Sequence, residues 1–151
     1  MRYIDQLIQY CEQAKRTQPE CIFQFSTFEQ VQPNAHYIYV IEQVGGDIQR
    51  SFADFSAFKA KKTHACAKLN QPSSILYVGS SRTGVGSRLK QHFGFGPKST
   101  YALHLNQWFQ GEYQITLRQY PSTTTPQVLQ LLEDDLAQSL KPAFGKLGAN
   151  H

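Results

Sequence analysis

The chain has 151 residues, of which 40% are hydrophobic and 17% are charged, and its formal net charge is +4. These values are ordinary for a folded globule and predict a single domain over residues 1–151. No apolar run approaches the length of a membrane span and no long apolar segment follows Met1, so we expect a cytoplasmic protein without a membrane partner. Cys11, Cys21 and Cys66 are odd in number and widely spaced, which favours reduced thiols over a disulfide framework.

The N-terminal 34 residues precede the first predicted principal strand. Apolar residues recur at helical spacing between Tyr3 and Arg16, which predicts an amphipathic helix. The segment 21–26 fits a short strand or an extended segment, and both interpretations stay open. His36 to Gln43 is rich in Tyr, Ile and Val and predicts a strand.

Residues 44–74 form an insertion between this strand and the next one. Phe52, Phe55 and Phe58 recur after Ser51, which we take as the N-cap of a helix that continues into the basic segment ending at Lys68. This helix could lie along a nucleic-acid backbone, cover the sheet, or do both.

The segment 75–93 carries the densest set of polar candidates. Ile75 to Gly79 predicts a strand that contains Tyr77, and Ser87 to Phe93 predicts a helix. Arg88 and His92 are four residues apart, so they share one face of that helix. A guanidinium, an imidazole and a phenol close together are a plausible set of donors for a phosphate group.

The rest of the chain predicts two helices and a strand. Ser99 or Thr100 would cap a short helix that contains Leu103 to Trp108, and Glu112 to Tyr120 alternates as a strand. Thr125 and Pro126 begin the last helix, with proline at its first position. The pattern predicts an α+β domain whose sheet is mainly antiparallel.

Glu133 is the acid of the last helix that should lean towards the protein. Leucines at 129, 132, 136 and 140 form the apolar stripe, and Glu133 lies roughly 55° from its centre, whereas Asp134 and Asp135 lie farther round. An inward carboxylate needs a cationic partner. A structural salt bridge and a metal ion are equally good partners by position alone.

The basic residues are also segregated in the sequence. No Asp or Glu occurs from Phe55 through Gly111, which predicts a local positive field suited to a polyanion, although a solvated lysine face is the plain alternative. A histidine between leucines is usually a packed residue, so His104 is the weaker candidate. The candidates for nucleic-acid binding are Lys59, Lys61, Lys62, Lys68, Arg82, Lys90, Lys98 and His104.

Several segments together resemble the GIY-YIG nuclease family over about residues 35–144. The first motif resembles Tyr37-Ile-Tyr-Val40 and the second resembles Tyr77-Val78-Gly79; the family's arginine and histidine fall on Arg88 and His92, its glutamate on Glu133, and Lys141-Pro142 follows. Tyr37 stands where glycine is usual, and the insertion 44–74 replaces a short hairpin. The family's late asparagine meets Phe144-Gly145-Lys146, and Asn150 lies further on.

The resemblance implies a three-stranded antiparallel sheet flanked by helices and a metal-dependent endonuclease that hydrolyses DNA phosphodiester bonds. Glu133 would hold one divalent cation, Mg²⁺ or Mn²⁺, and Arg88 would stabilise charge on the scissile phosphate. Tyr39 would deprotonate or orient the attacking water with support from Tyr77. His92 would contact phosphate or relay a proton.

Two other functions fit the same residues. A non-catalytic nucleic-acid-binding module could retain this fold, and an RNA-directed enzyme stays open because phosphate chemistry does not distinguish the sugars. Targeting would come from the insertion, from the loop 94–100, from a homodimer or from a partner protein.

Overall fold

The computed structural model describes residues 1–147, so Asn150 lies outside the described residues. Its helices are α1 (Tyr3–Arg16), α2 (Ile48–Ala60), α3 (Val85–Phe93) and α4 (Pro126–Leu140). Its strands are β1 (Cys21–Gln24), β2 (His36–Gly45), β3 (Ile75–Ser81) and β4 (Glu112–Tyr120). The strands form one antiparallel sheet in the order β1-β4-β2-β3, which confirms the predicted α+β class with flanking helices.

The sheet has four strands, so the expectation of three was wrong. Cys21 to Gln24 pairs with β4, where Cys21 faces Gln119 and Gln24 faces Thr116. Only Phe23 of this strand is partly buried. Because its other side chains are exposed, the strand is defined by main-chain pairing and carries no strong hydrophobic alternation.

Side chains alternate between two apolar clusters on the two faces of the sheet. Tyr37, Tyr39 and Ile41 of β2 belong to the larger cluster, which also contains Phe55 of α2 and Leu89 of α3. Ile38 and Val40 point to the opposite face and pack with Val78 of β3 and with the leucine stripe of α4. The period of two along β2 thus places α3 and α4 on opposite sides of β3.

Strand β3 lies at one edge of the sheet, where the chain after α4 covers part of it. The Ala143 N–H donates to the Ile75 carbonyl at 2.8 Å and the Phe144 N–H to the Leu76 carbonyl at 3.1 Å. The Asn70 amide donates to the carbonyls of Pro142 and Gly145, at 3.1 and 2.9 Å. These bonds fix residues 142–145 beside the edge strand.

Helix α2 begins earlier and ends sooner than the sequence predicts. The Asp47 side chain caps it by accepting the Arg50 N–H at 3.1 Å, and Ser51 lies buried within the helix. The helix ends at Ala60, so the basic residues from Lys61 to Lys68 lie on a loop. The predicted Ser51 cap and the long basic helix were therefore wrong, because an Asp after two glycines provides an earlier cap.

The last part of the chain confirms one prediction and corrects another. Thr125 caps α4 by accepting the Val128 N–H at 3.3 Å, and Pro126 is its first residue, as predicted. The segment around Leu103 contains only a 3₁₀ turn over Leu105–Gln107, because His104 adopts a left-handed backbone with φ 52°. Within residues 1–147, no helix has the length and apolarity needed to cross a membrane.

Candidate active site

A cleft of about 590 Å³ lies along β3, and side chains from both faces of the sheet line it. Tyr39, Tyr77 and Arg88 come from the side of α3, whereas Glu133 comes from α4. The structure therefore brings four of the five predicted catalytic residues into one cleft. The fifth, His92, lies directly behind Tyr39.

Tyr39 reaches the cleft across Gly79, which is its partner on the neighbouring strand. A Cβ atom at position 79 would collide with the Tyr39 ring and hydroxyl. The rings of Tyr39 and Tyr77 are nearly parallel, with centroids 6.1 Å apart and an interplanar angle of 9°. Glycine in the second motif is thus required by the close approach of the phenol, not by a backbone turn.

His92 is fully buried and holds the Tyr39 hydroxyl from behind. Its Nδ1 accepts the Leu103 N–H at 3.2 Å, which leaves Nε2 as the protonated nitrogen of a neutral ring, 3.0 Å from the Tyr39 Oη. Burial lowers the pKa of His92 well below its usual range, and Arg88 and His104 lower it further. A neutral His92 whose Nε2 already carries a proton is suited to donate to the phenol.

The environment keeps the Tyr39 hydroxyl protonated. Burial raises the pKa of Tyr39 above its ordinary value and Tyr77 adds to this effect, while Arg88 opposes it. Because His92 occupies one lone pair of the oxygen, the hydroxyl proton is free to point elsewhere. Of the two roles predicted for Tyr39, these features favour orienting a water molecule over removing its proton.

Arg88 is held by neutral acceptors. Its Nη1 donates to the Gln91 Oε1 at 2.7 Å, and its Nη2 donates to the Tyr77 Oη at 3.3 Å and to the Tyr101 carbonyl at 3.0 Å. Within residues 1–147, no carboxylate forms a salt bridge with it. The guanidinium is therefore fixed in direction and retains its full charge for a ligand.

Glu133 receives a hydrogen bond from a neutral side chain that the sequence did not single out. Gln130 donates to its Oε2 at 3.2 Å, and Ser80 lines the same cleft. Burial raises the pKa of Glu133, although Ser80, Gln130 and Arg88 act in the opposite direction. Gln130 lies one helical turn before Glu133, so the i, i+3 spacing could have identified it.

A hard divalent cation fits the chemistry of this carboxylate. In the described part of the chain, Glu133 takes part in no salt bridge, and no group of three or more His, Cys, Asp and Glu side chains could hold a metal ion. Glu133, with the Ser80 hydroxyl beside it, offers oxygen donors of the kind that Mg²⁺ and Mn²⁺ prefer. In such a site, water molecules and phosphate oxygens would occupy most of the coordination positions of the ion.

Two of the predicted nucleic-acid-binding residues line the cleft. They are Lys59 and Lys68, and the Lys59 Nζ donates to the Ala67 carbonyl at 3.1 Å. The other basic candidates are exposed but do not line the cleft; they are Lys61, Lys62, Arg82, Lys90 and Lys98. Of these, Lys90 lies over the Phe28 ring, 5.0 Å from its centroid.

His104 is not placed where nucleic acid could reach it. Its side chain is 1% exposed, and its Nε2 lies 2.8 Å from the Ala65 carbonyl and 3.0 Å from the Thr100 carbonyl. Both carbonyls accept, so this nitrogen carries the proton and is satisfied within the protein. The prediction that His104 binds nucleic acid was wrong, because the left-handed turn at this residue directs the ring inward.

Comparisons with protein-family models, with curated proteins and with solved structures found no match for this chain. Four of the motif residues, Tyr39, Tyr77, Arg88 and Glu133, line the cleft.

Proposed function

We propose that this protein is a metal-dependent endonuclease that hydrolyses phosphodiester bonds of DNA. The observation that carries the proposal is the convergence of three groups on one cleft. Within residues 1–147, the Arg88 guanidinium has no carboxylate partner and the partly buried Glu133 has no salt bridge, and both line the same cleft as the Tyr39 hydroxyl. These are the groups that phosphoryl transfer to water requires: a charge for the phosphate, a group that places the water, and a ligand for a cation.

In this proposal Arg88 binds a nonbridging oxygen of the scissile phosphate. Tyr77 and the Tyr101 carbonyl keep the guanidinium in place, so little reorganisation accompanies the development of charge. Tyr39 orients the attacking water through its hydroxyl, which His92 fixes from behind. Because Tyr39 stays protonated, the proton of that water passes to solvent as the new P–O bond forms and the bond to the leaving oxygen breaks. Glu133 is the ligand for the divalent cation, which when bound supplies Lewis-acid stabilisation of the phosphate and of the leaving oxygen.

A non-catalytic nucleic-acid-binding module is the second candidate. The raised pKa of Tyr39 favours it over a mechanism in which Tyr39 is the general base, because a protonated phenol is a poor base. The same basic residues, Lys59 and Lys68, would serve binding alone. The two candidates differ in whether the protein cleaves nucleic acid, and only the nuclease needs Glu133 for cleavage.

Nicking of supercoiled plasmid tests the proposal directly. Wild type and Glu133→Gln are compared with Mg²⁺, with Mn²⁺ and with a chelator, and a matched RNA substrate separates DNA from RNA cleavage. Asp135→Asn is the control, because this carboxylate lies two residues further on the same helix and is exposed.

The proposal predicts metal-dependent nicking by wild type and by Asp135→Asn, and none by Glu133→Gln. Equal nicking by all three proteins would mean that Glu133 is not part of the site. Salt-sensitive DNA binding without cleavage by any of them would establish the binding module instead.

A further inference from the structure

Tyr101 stands exposed at the rim of the cleft. Its side chain is 71% exposed, although it lines the same cavity as Tyr39 and Arg88. Its own carbonyl accepts the Arg88 Nη2 at 3.0 Å, so the ring is attached to a residue that touches the proposed phosphate-binding group. An exposed aromatic ring at this point is available to a nucleobase next to the bound phosphate.

The backbone that carries this ring is held by the residues that follow it. The next two residues, Ala102 and Leu103, are 0% exposed, and Ala102 forms a bridge with Cys66. Leu103 donates its N–H to His92. Within residues 1–147, the Tyr101 ring takes part in no aromatic stacking and its hydroxyl in no hydrogen bond. Because the backbone of this ring is already held, only the side-chain torsions of Tyr101 have to be ordered when a base stacks on it.

The Tyr39 hydroxyl, one of the proposed reactive groups, is recessed within the cleft. Tyr39 lines the cleft but is 1% exposed, and Gly79 beside it is buried. A cavity of about 590 Å³ has the size of a pocket for a nucleotide-sized ligand. A DNA duplex is too wide to enter a cavity of this volume, since its major groove alone spans about 12 Å. A strand held in a duplex also keeps its bases turned towards its partner strand, whereas an unpaired strand can turn a base outward onto an aromatic ring.

From the exposed ring, its fixed backbone and the recessed cleft, we infer that the nucleic acid is unpaired next to the scissile phosphate and that its base stacks on Tyr101. This inference rests on the proposed function, whose substrate class it specifies as a gap, a loop or a single-stranded end. Lys59 and Lys68 line the cleft and would neutralise neighbouring phosphates of the flexible strand.

Binding is tested with oligonucleotides that carry 2-aminopurine beside a short single-stranded gap and with the matching full duplex, in protein that carries Glu133→Gln to prevent cleavage. Three further substitutions are added separately: Tyr101→Ala, Tyr101→Trp and Tyr3→Ala. Tyr3 is the matched control because it is 72% exposed and lies on α1, outside the cleft.

We expect Tyr101→Ala to weaken binding of the gapped substrate by roughly 5- to 150-fold, the range for one stacked base, and to leave duplex binding nearly unchanged. Tyr101→Trp should retain the affinity, and both the parent protein and the Trp variant should quench the 2-aminopurine fluorescence. An equal loss on both substrates, a loss with Tyr3→Ala, or quenching that persists in Tyr101→Ala would overturn the inference.

Cleavage of the same oligonucleotides by wild type with Mg²⁺ separates this inference from the proposed function. A preference for gapped substrate in binding without any cleavage would refute the nuclease and leave the stacking site standing. Cleavage of duplex as fast as of gapped substrate, with no effect of Tyr101→Ala, would refute the stacking site and leave the nuclease standing. Absence of binding to either substrate would refute both.

Discussion

The two faces of the edge strand β3 hold their polar groups in opposite ways. On the α3 side, Tyr39, Tyr77, Arg88 and His92 form a connected network in which each side chain touches another. On the α4 side, Glu133 accepts a hydrogen bond from Gln130 and lies beside an apolar cluster. The first face is thus organised before any ligand binds, whereas the second presents a partly buried carboxylate that forms no salt bridge within residues 1–147.

Under the proposed function, this difference separates the groups that would position a substrate from the carboxylate that would bind a cation. A preorganised network stabilises a transition state because it does not reorganise during the reaction. A carboxylate with a raised pKa destabilises the folded protein slightly at neutral pH, and bound cation would remove that cost. Substitutions on the first face should therefore lower both the cleavage rate and the free energy of unfolding. Substitution of Glu133 should lower the cleavage rate without lowering the free energy of unfolding.

The largest effect is expected for Tyr39→Phe, which removes one oxygen from the network and keeps the ring. Loss of the group that orients the water should slow cleavage by about 10²- to 10⁴-fold. His92 also loses its acceptor, which should lower the free energy of unfolding by about 1–3 kcal/mol. Single-turnover cleavage and urea unfolding measure the two effects, and cleavage at the wild-type rate would remove Tyr39 from the mechanism.

Arg88→Lys should slow cleavage by about 10²- to 10³-fold, although it preserves the charge. A lysine cannot contact the phosphate, Tyr77 and Gln91 at the same time, because it lacks the planar fork. Arg50→Lys is the control, since Arg50 is exposed and its ion pair with Asp54 lies on α2. Comparable rates for Arg88→Lys and wild type would show that charge alone suffices and that the network is not needed.

Gly79→Ala should destabilise the protein by about 1–3 kcal/mol, because the added methyl group collides with Tyr39. Cleavage should fall as well, since the phenol must move. Gly86→Ala is the control: an added Cβ there meets Phe28 at 3.5 Å and Val31 at 3.7 Å, which are ordinary contacts. Chemical unfolding of both variants measures the difference, and equal stability would show that Tyr39 can move aside freely.

Glu133→Gln should have the smallest effect on stability. It should leave the free energy of unfolding unchanged or raise it, whereas Tyr39→Phe and Gly79→Ala should lower it. The pKa of the Glu133 carboxyl is raised in the folded state above its value in the unfolded state. The contribution of this group to the free energy of unfolding is therefore fully present below the unfolded-state pKa and is lost as the pH rises through the folded-state pKa. The neutral amide avoids this loss, so the variant should equal or exceed wild type in unfolding free energy at neutral pH. The advantage should disappear in acid, and a variant less stable than wild type at neutral pH would mean that the carboxylate has a cationic partner.

Local spacing in the sequence was enough to predict how several of the candidate residues lie on their helices. Arg88 and His92 were placed on one helix face by their separation of four, and Glu133 was distinguished from its acidic neighbours by the leucine stripe of α4. Both relations follow from helix geometry alone. The approach of Tyr77 to Arg88 followed from the strand that precedes the helix.

The remaining features depend on contacts between distant parts of the chain. Asn70 bonds to the carbonyls of Pro142 and Gly145, 72 and 75 residues away. The pairing of β1 with β4 and the inward turn of His104 are also set by tertiary structure. No local pattern of residue types encodes such contacts, so the sequence could suggest them only as alternatives.

The most direct test of the account is the rate of plasmid nicking by wild type, Tyr39→Phe and Glu133→Gln at one temperature where unfolding curves show all three proteins to be folded. Tyr39 and Glu133 lie on opposite faces of the sheet, and both side chains line the cleft. The account predicts that each variant alone is strongly impaired, Tyr39→Phe by orders of magnitude and Glu133→Gln to the level of the chelator control. Nicking at the wild-type rate by either variant would contradict the claim that both faces build a single active site.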